Sequence, residues 1–317
     1  MKTPQQSYPE LNKALGVDVY LKREDQHKYS SHKGRSIPLM IKHYYKGRKI
    51  KHEDGTEELT PTFRNFVVSS SGNAAIASIH AIQAHNRNNP EKLSLTIFIG
   101  SNIDPKKLKI LTAIIEDPKV KLQQVERPKQ AAFQMEKENN TVKYLRQSTD
   151  DLALMGYFEL AQELNRIPNL QAIFIPTSSG TTAQALGEAF ENIEPSAWGG
   201  KQNPQIHIVQ TTACHPMVTG MANASLSDTN TTKHSIASAI VDNIAHRKEK
   251  VIEVINRSHG SGWIVTDDEI KQAQKLIKDT CNIATSPNSA LSVAGLMKAL
   301  QSGSKYNEVV VCLLTGM

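Results

Sequence analysis

Leu21-Lys22-Arg23-Glu24-Asp25-Gln26-His27-Lys28-Tyr29-Ser30-Ser31-His32-Lys33-Gly34-Arg35 is the stretch on which the reading of the chain turns. It sets Lys33 directly after a Ser-Ser-His turn and before a segment whose Ile37, Met40, Ile41 and Tyr44 have helical spacing. Taken alone, one lysine among 37 Lys and Arg is ordinarily a solvated surface charge. A covalent role requires the neutral amine, and so desolvation or nearby cations that disfavour the ammonium. Lys22, Arg23, Lys28 and Arg35 are the sequence neighbours placed to supply such charge.

Upstream, Pro9 to Gly16 reads as a short helix, and Val17 to Lys22 alternates as a half-buried strand does. Downstream, the charged, turn-rich run from Lys46 to Arg64 reads as an exposed loop or domain boundary. Phe66-Val67-Val68 is a short strand that runs into Ser69-Ser70-Ser71-Gly72-Asn73, followed by a helix bearing Ile76, Ile79 and Ile82. A strand feeding small residues and then a helix offers backbone N–H groups to an anion, although Ser-Gly-Asn is also an ordinary turn. Leu95 to Ile99 and Val120 to Val125 read as strands, with a helix opened by Asp104-Pro105 between them, and residues 126–150 read as polar and helical.

The same grammar returns in Ile173-Phe174-Ile175-Pro176-Thr177-Ser178-Ser179-Gly180-Thr181-Thr182, where an apolar strand ends in hydroxyl-bearing residues and Leu186, Ala189, Phe190 and Ile193 line a helix. Such a helix start suits phosphate, while simple capping by Ser or Thr is the commoner use. Gln205 to Gln210 is another strand. Thr266-Asp267-Asp268-Glu269 is a capping box, Ser286-Pro287 opens a further helix, and Val309 to Leu314 is a buried strand ending at Thr315-Gly316-Met317. Cys214 and His215 are adjacent on the chain, which does not make a productive nucleophile and base pair.

The composition narrows the class. A chain of 317 residues with 39% hydrophobic residues can bury the cores of two ordinary domains. No apolar run approaches a membrane span, the start Met1-Lys2-Thr3-Pro4 lacks an apolar leader core, and a cytoplasmic location is the expectation. Cys214, Cys281 and Cys312 form no CxxC or zinc-like spacing, and no metal site is expected. Sequons at Asn139, Asn223, Asn230 and Asn256 carry no weight without a secretion signal. The net charge of +6 is dispersed and aromatic residues are few, which argues against a nucleic-acid partner.

The segment at Lys33 resembles the lysine segment of the fold-type II pyridoxal 5'-phosphate enzymes (the tryptophan synthase beta-like superfamily). Their dehydratase branch carries a Lys-Arg-Glu-Asp strand followed by Ser-Phe-Lys-x-Arg, and here His32 replaces the Phe. The resemblance implies an α/β fold with two open twisted sheets flanked by helices and the cofactor in the cleft between two domains. It places a large cofactor-binding domain at residues 1–49 and 146–317 and a smaller mobile domain at residues 50–145. It implies a Schiff base on Lys33, contact of Asn73 with the cofactor ring hydroxyl, and substrate carboxylate binding by Ser70, Ser71 and Gly72. Thr177, Ser178, Ser179, Gly180 and Thr181 would hold the cofactor phosphate, and Thr315 would face the pyridine nitrogen. Thr177 and Ser179 stand where the family has glycines, and Ser286 where it has a glutamate. Ile236 to Ile240 resembles a short family segment beside the active site.

The expected activity is elimination of the β-substituent of a small amino acid such as serine or threonine, giving a keto acid and ammonia, by a homodimer. The Lys-Arg-Glu-Asp segment resembles the dehydratases, whereas Gly180-Thr181 is similar to cysteine synthases and Thr315-Gly316 to threonine synthase. The alternatives are therefore a β- or γ-replacement synthase and a cofactor-binding protein that has lost turnover. With the sequence stopping at Met317, feedback control by a further regulatory domain is not expected.

Overall fold

The computed structural model describes residues 2–47, 49–51, 56–193, 203–221 and 234–316, so the sequons at Asn223 and Asn230 and the terminal Met317 lie outside the described residues. In chain order, β1 (Gln5–Ser7), α1 (Pro9–Leu15) and β2 (Val19–Arg23) precede a single 3-10 turn (Glu24–Gln26) and α2 (Lys33–Lys46). The charged stretch read as a loop contains an antiparallel pair, β3 (Lys49–Lys51) with β4 (Glu57–Leu59). Then come β5 (Asn65–Ser69), α3 (Asn73–Asn88), β6 (Ser94–Gly100), α4 (Pro105–Ile114), β7 (Val120–Val125) and α5 (Pro128–Glu138). Residues 126–150 are not helical throughout, since β8 (Val142–Tyr144) follows α5. The chain continues through α6 (Leu152–Met155), α7 (Phe158–Leu164), β9 (Leu170–Pro176), α8 (Thr181–Asn192) and β10 (Gln205–Thr211). It closes with α9 (Lys248–Arg257), β11 (Gly262–Val265), α10 (Asp267–Cys281), α11 (Pro287–Gln301) and β12 (Val309–Leu314).

These elements form two compact units, Lys28–Gly156 and Met1–His27 with Tyr157–Met317. The smaller unit holds a parallel four-stranded sheet in the order β7-β6-β5-β8. Ile37, Met40 and Ile41 of α2 enter its core beside Ile79 and Ile82 of α3 and Leu95, Ile97 and Ile99 of β6. That apolar face groups α2 with this unit by packing, whereas the sequence division at 49/50 and 145/146 leaves α2 in the larger domain.

The larger unit holds a six-stranded sheet in the order β1-β2-β12-β9-β10-β11, parallel except for β1. Val309 to Leu314 are all buried, as a central parallel strand covered on both faces must be. Each such aliphatic side chain contributes about 1.5–3 kcal/mol on burial. Two polar clusters interrupt this core. The Lys22 Nζ, fully buried on β2, donates to Glu163 of α7 at 2.5 Å, to the Thr3 carbonyl at 3.0 Å and to Gln5 Oε1 at 3.1 Å, which ties β1 and α7 to the sheet. On β10, the His207 ring stacks on Phe174 with centroids 4.5 Å apart. Trp263 Nε1 donates to its Nδ1 at 3.2 Å, so the ring proton sits on Nε2, 3.1 Å from Gln205 Oε1. Burial pushes the His207 pKa down to about 3, keeping the ring neutral.

Candidate functional site

The site residues expected from sequence are distributed over both units. In the smaller unit, Lys33 is the first residue of α2 and is partly buried. The turn ahead of it is tight: Gly34 N–H donates to the Ser31 carbonyl at 3.0 Å and Arg35 N–H to the His32 carbonyl at 3.1 Å. Pro38 sits in the second turn of the helix, where it removes the N–H that would otherwise reach the Gly34 carbonyl. Gly156 allows the end of α6 to press on this turn, because a Cβ there would lie 2.4 Å from Ser36 Cα and 2.7 Å from the Arg35 carbonyl oxygen. Ser36 Oγ also donates to the Ala153 carbonyl at 2.8 Å. A stack of Tyr29 on His80 of α3, with ring centroids 5.7 Å apart, fixes the approach to the turn.

Three of the four cations considered as modifiers of Lys33 have other partners. Lys22 pairs with Glu163, Arg23 holds Asp25 through Nε at 2.9 Å and Nη2 at 2.7 Å, and Lys28 lies over the Tyr29 ring at 5.0 Å. Ser70, Ser71, Gly72 and Asn73 are all partly buried at the carboxyl end of β5, with Asn73 opening α3. Gly72 N–H donates to Ser70 Oγ at 3.2 Å, and no side chain caps α3.

In the larger unit, Thr177 to Thr181 join β9 to α8. Gly180 is the cap residue at φ 80°, and no side chain caps the helix. A Cβ at Gly180 would lie 2.6 Å from Val251 Cγ2 and 2.8 Å from Met217 Cε, so both the conformation and the space demand glycine. Among the described residues, non-glycine residues with positive φ are Ser30, Asn169, Ala245, His259 and Asn282. Thr177 and Ser179 therefore replace family glycines at positions where no left-handed backbone is needed. Thr177 acts as a strut: its hydroxyl donates to the Ile175 carbonyl at 2.8 Å, and its N–H to the Val209 carbonyl at 2.9 Å. Ser178 Oγ accepts from Val241 N–H at 3.2 Å, and Ser179 Oγ pairs with Thr181 Oγ1 at 2.9 Å.

β12 lies beside β9 in parallel register, with Cys312 opposite Phe174. Three residues beyond each of these, the buried Thr315 and Thr177 leave the same edge of the sheet. Gly316 is clamped: its carbonyl accepts from Ser286 Oγ at 2.7 Å and Ser289 Oγ at 2.5 Å, and its N–H donates to Ser289 Oγ at 3.0 Å. Ser286 also caps α11, so the residue that departs from the family glutamate fastens the strand end carrying Thr315. The 236–240 segment is held nearby by Ala239 N–H on Asn288 Oδ1 at 2.9 Å. Cys214 and His215 turn apart, the thiol towards Asn243 and the imidazole towards Thr219.

Sequence reasoning missed the residues that hold these loops from behind. Gln210, Ser289 and Gly156 carry no motif, and their roles follow from contacts across strands and helices. The donor set at α8 fits a phosphate: a helix N-terminus opened by a glycine in the left-handed region stands beside the hydroxyls of Thr177, Ser178, Ser179 and Thr181.

Two open parallel sheets, each with small-residue turns where its strands feed helices, define the chain as an α/β protein of the fold-type II class. The chain belongs to the pyridoxal-phosphate dependent enzyme family, whose model matches residues 1–316. Its cofactor is accordingly pyridoxal 5'-phosphate. It is 29% identical to a threonine synthase of Methanocaldococcus jannaschii over 181 residues, which cover 55% of this chain and 44% of that protein. The chain thus matches less than half the length of the curated relatives it resembles. All of it superposes on 88% of maize serine racemase with a TM-score of 0.75 at 17% identity. It likewise superposes on 79% of threonine deaminase isoform 2 from Solanum lycopersicum with a TM-score of 0.73 at 20% identity. At these identities the structural likeness speaks to the fold. No described helix is long and apolar enough to cross a membrane.

Proposed function

We propose that this protein is a lyase that removes the β-substituent of a small amino acid such as serine or threonine and releases a keto acid and ammonia. The observation that carries the proposal is the pairing, at one edge of one sheet, of the uncapped α8 start with the Thr315 hydroxyl at the end of β12. When bound, pyridoxal phosphate supplies an electron-accepting ring that stabilises negative charge at the substrate Cα.

The chain's own residues do the rest. The loop 177–181 holds the phosphate through its backbone N–H groups and hydroxyls. Thr315 would offer the ring nitrogen a hydroxyl rather than a carboxylate, a partner that would not hold a proton on that nitrogen and so would favour elimination. Ser70, Ser71 and Gly72 orient the substrate carboxylate, and Asn73 faces the ring hydroxyl. Lys33 would hold the cofactor, and its amine would take the Cα proton of the substrate and return a proton to the hydroxyl that departs from Cβ as water. The released enamine hydrolyses to the keto acid and ammonia. A homodimer in the cytoplasm belongs to the same proposal, and size-exclusion chromatography checks the dimer.

A second reading, replacement of the β- or γ-substituent by another nucleophile, is favoured by the threonine synthase relatives. The test is the absorbance of purified wild-type and Lys33→Ala protein with added cofactor, then with serine, threonine and O-acetylserine, with keto acid and ammonia assayed. A Lys33-dependent band that shifts with serine or threonine and yields keto acid supports the lyase. A shift without keto acid, followed by product only when a nucleophile is added, supports replacement. A band that no amino acid moves would leave a cofactor-binding protein without turnover.

A further inference from the structure

Gln210 has no exposed surface and lies at the carboxyl end of β10, next to β9. Its side-chain amide bridges two backbones. Nε2 donates to the Thr177 carbonyl at 3.2 Å, while Oε1 accepts from Met217 N–H at 3.0 Å and Val218 N–H at 3.2 Å. Only this orientation of the amide satisfies a carbonyl on one side and two N–H donors on the other, so the assignment is forced by the partners. The turn that Gln210 holds also reaches the far end of the same loop, because Met217 packs at the position a Cβ on Gly180 would take. One buried amide thus grips the loop 177–181 at its first residue directly and at its fourth through Met217.

We infer that Gln210 is a positioning residue for the cofactor phosphate, setting the placement of the loop 177–181 without touching the cofactor itself. The inference rests on the assignment of that loop proposed above. A family loop rich in glycine can follow a ligand, whereas Thr177 here is fixed through its hydroxyl, its N–H and its carbonyl. The loop therefore keeps the shape its support gives it. Loss of the Gln210 amide leaves a buried carbonyl and two buried N–H groups to find new partners, and the loop shifts to do so.

The test compares apoprotein of the wild type, Gln210→Met, Gln210→Glu and an unrelated core control, Ile277→Val in α10. Each is titrated with pyridoxal 5'-phosphate and with pyridoxal, which lacks the phosphate, and each apoprotein is melted. For Gln210→Met, affinity for pyridoxal 5'-phosphate is expected to fall by about tenfold to a hundredfold, while that for pyridoxal stays within about twofold of wild type. The phosphorus resonance of the bound cofactor should broaden or shift in the same variant and not in the control. Gln210→Glu keeps the acceptor for Met217 and Val218 and replaces the amide donor to Thr177 by a buried carboxyl, so the same selective loss in this variant gives the reading if the methionine variant fails to fold.

Equal losses for the two ligands would overturn the inference, since a merely structural role weakens both. Unchanged affinity for both would overturn it as well, leaving the site assignment intact. A wild-type protein with no Lys33-dependent absorbance would bring down the site assignment and this inference together.

Discussion

Two helices of the larger unit leave the same kind of place in different ways. α10 and α8 each follow a parallel strand of the six-stranded sheet, at its carboxyl edge. α10 is closed on itself: Thr266 Oγ1 accepts from Glu269 N–H at 3.2 Å, and Glu269 Oε2 accepts from Thr266 N–H at 2.6 Å. α8 opens on Gly180 with no side-chain cap, although Thr177, Ser178, Ser179 and Thr181 bring four hydroxyls to the turn. The Thr177 hydroxyl bonds to the Ile175 carbonyl, Ser178 Oγ accepts from Val241 N–H, and Ser179 and Thr181 bond to one another. A helix that serves only the fold completes its own first turn. Under the assignment proposed above, α8 leaves that turn to the cofactor phosphate.

Four substitutions or titrations break or sharpen this contrast. The largest effect lies away from both helices. Lys22→Met removes one partner of a buried ion pair and is expected to cost about 3–5 kcal/mol in urea unfolding. Because the pair ties β1 and α7 to the sheet, cofactor affinity in the protein that remains folded should stay near wild type. A second background effect comes from His207. Its folded-state pKa lies near 3, below the ordinary 6.5, so the folded protein binds fewer protons than the unfolded chain between those values. Its contribution is complete above pH 6.5 and is lost as the pH falls, at up to about 1.4 kcal/mol per pH unit. Thermal unfolding over a descending pH series should show that slope, and His207→Phe should flatten it.

Gly180→Ala places a methyl group against Val251 and Met217 and imposes the left-handed region on alanine, with an expected cost of about 1–3 kcal/mol. It should also weaken cofactor binding by at least about tenfold, because the first turn of α8 must move. Thr266→Ala, the smallest change, removes the cap of α10 and should cost about 1 kcal/mol with cofactor affinity untouched. If the Thr266 variant weakened the cofactor as much as the Gly180 variant, the contrast between the two helices would be wrong.

What the sequence makes legible follows from range. The capping box at Thr266, the strand-to-helix turns at residues 69–73 and 176–181, and the lysine ahead of α2 are local patterns, and each lies within a residue or two of its expected place. β1, β8 and β11 are short, and β1 and β8 lack a clean apolar alternation, so nothing local announces them. The extent of the smaller unit is equally silent, because the apolar face of α2 does not say which sheet it covers. Within the site, Thr177 and Ser179 look like defects when set against a glycine motif. The backbone removes that impression by placing the one left-handed residue of the loop 177–181 at Gly180. The supports, Gln210 for the loop and Ser289 for Gly316, stand 33 and 27 residues away from what they hold. No spacing rule reaches that far.

Pro38 gives the smaller unit a property of another kind. By interrupting the ladder one turn after Lys33, it divides α2 into a short leading segment and a longer shaft whose Met40 and Ile41 anchor it in the core. The leading segment is held by contacts that include those to the Ser31 and His32 carbonyls, the Ser36 hydroxyl on the Ala153 carbonyl and the press of Gly156, with one rung of the helix missing behind it. The turn that carries Lys33 is therefore expected to open more readily than the shaft behind it. In mechanical terms it rides on a stub axle, and a Pro38→Ala protein, with the rung restored, should hold Lys33 more stiffly and exchange the amide protons of its first turn more slowly.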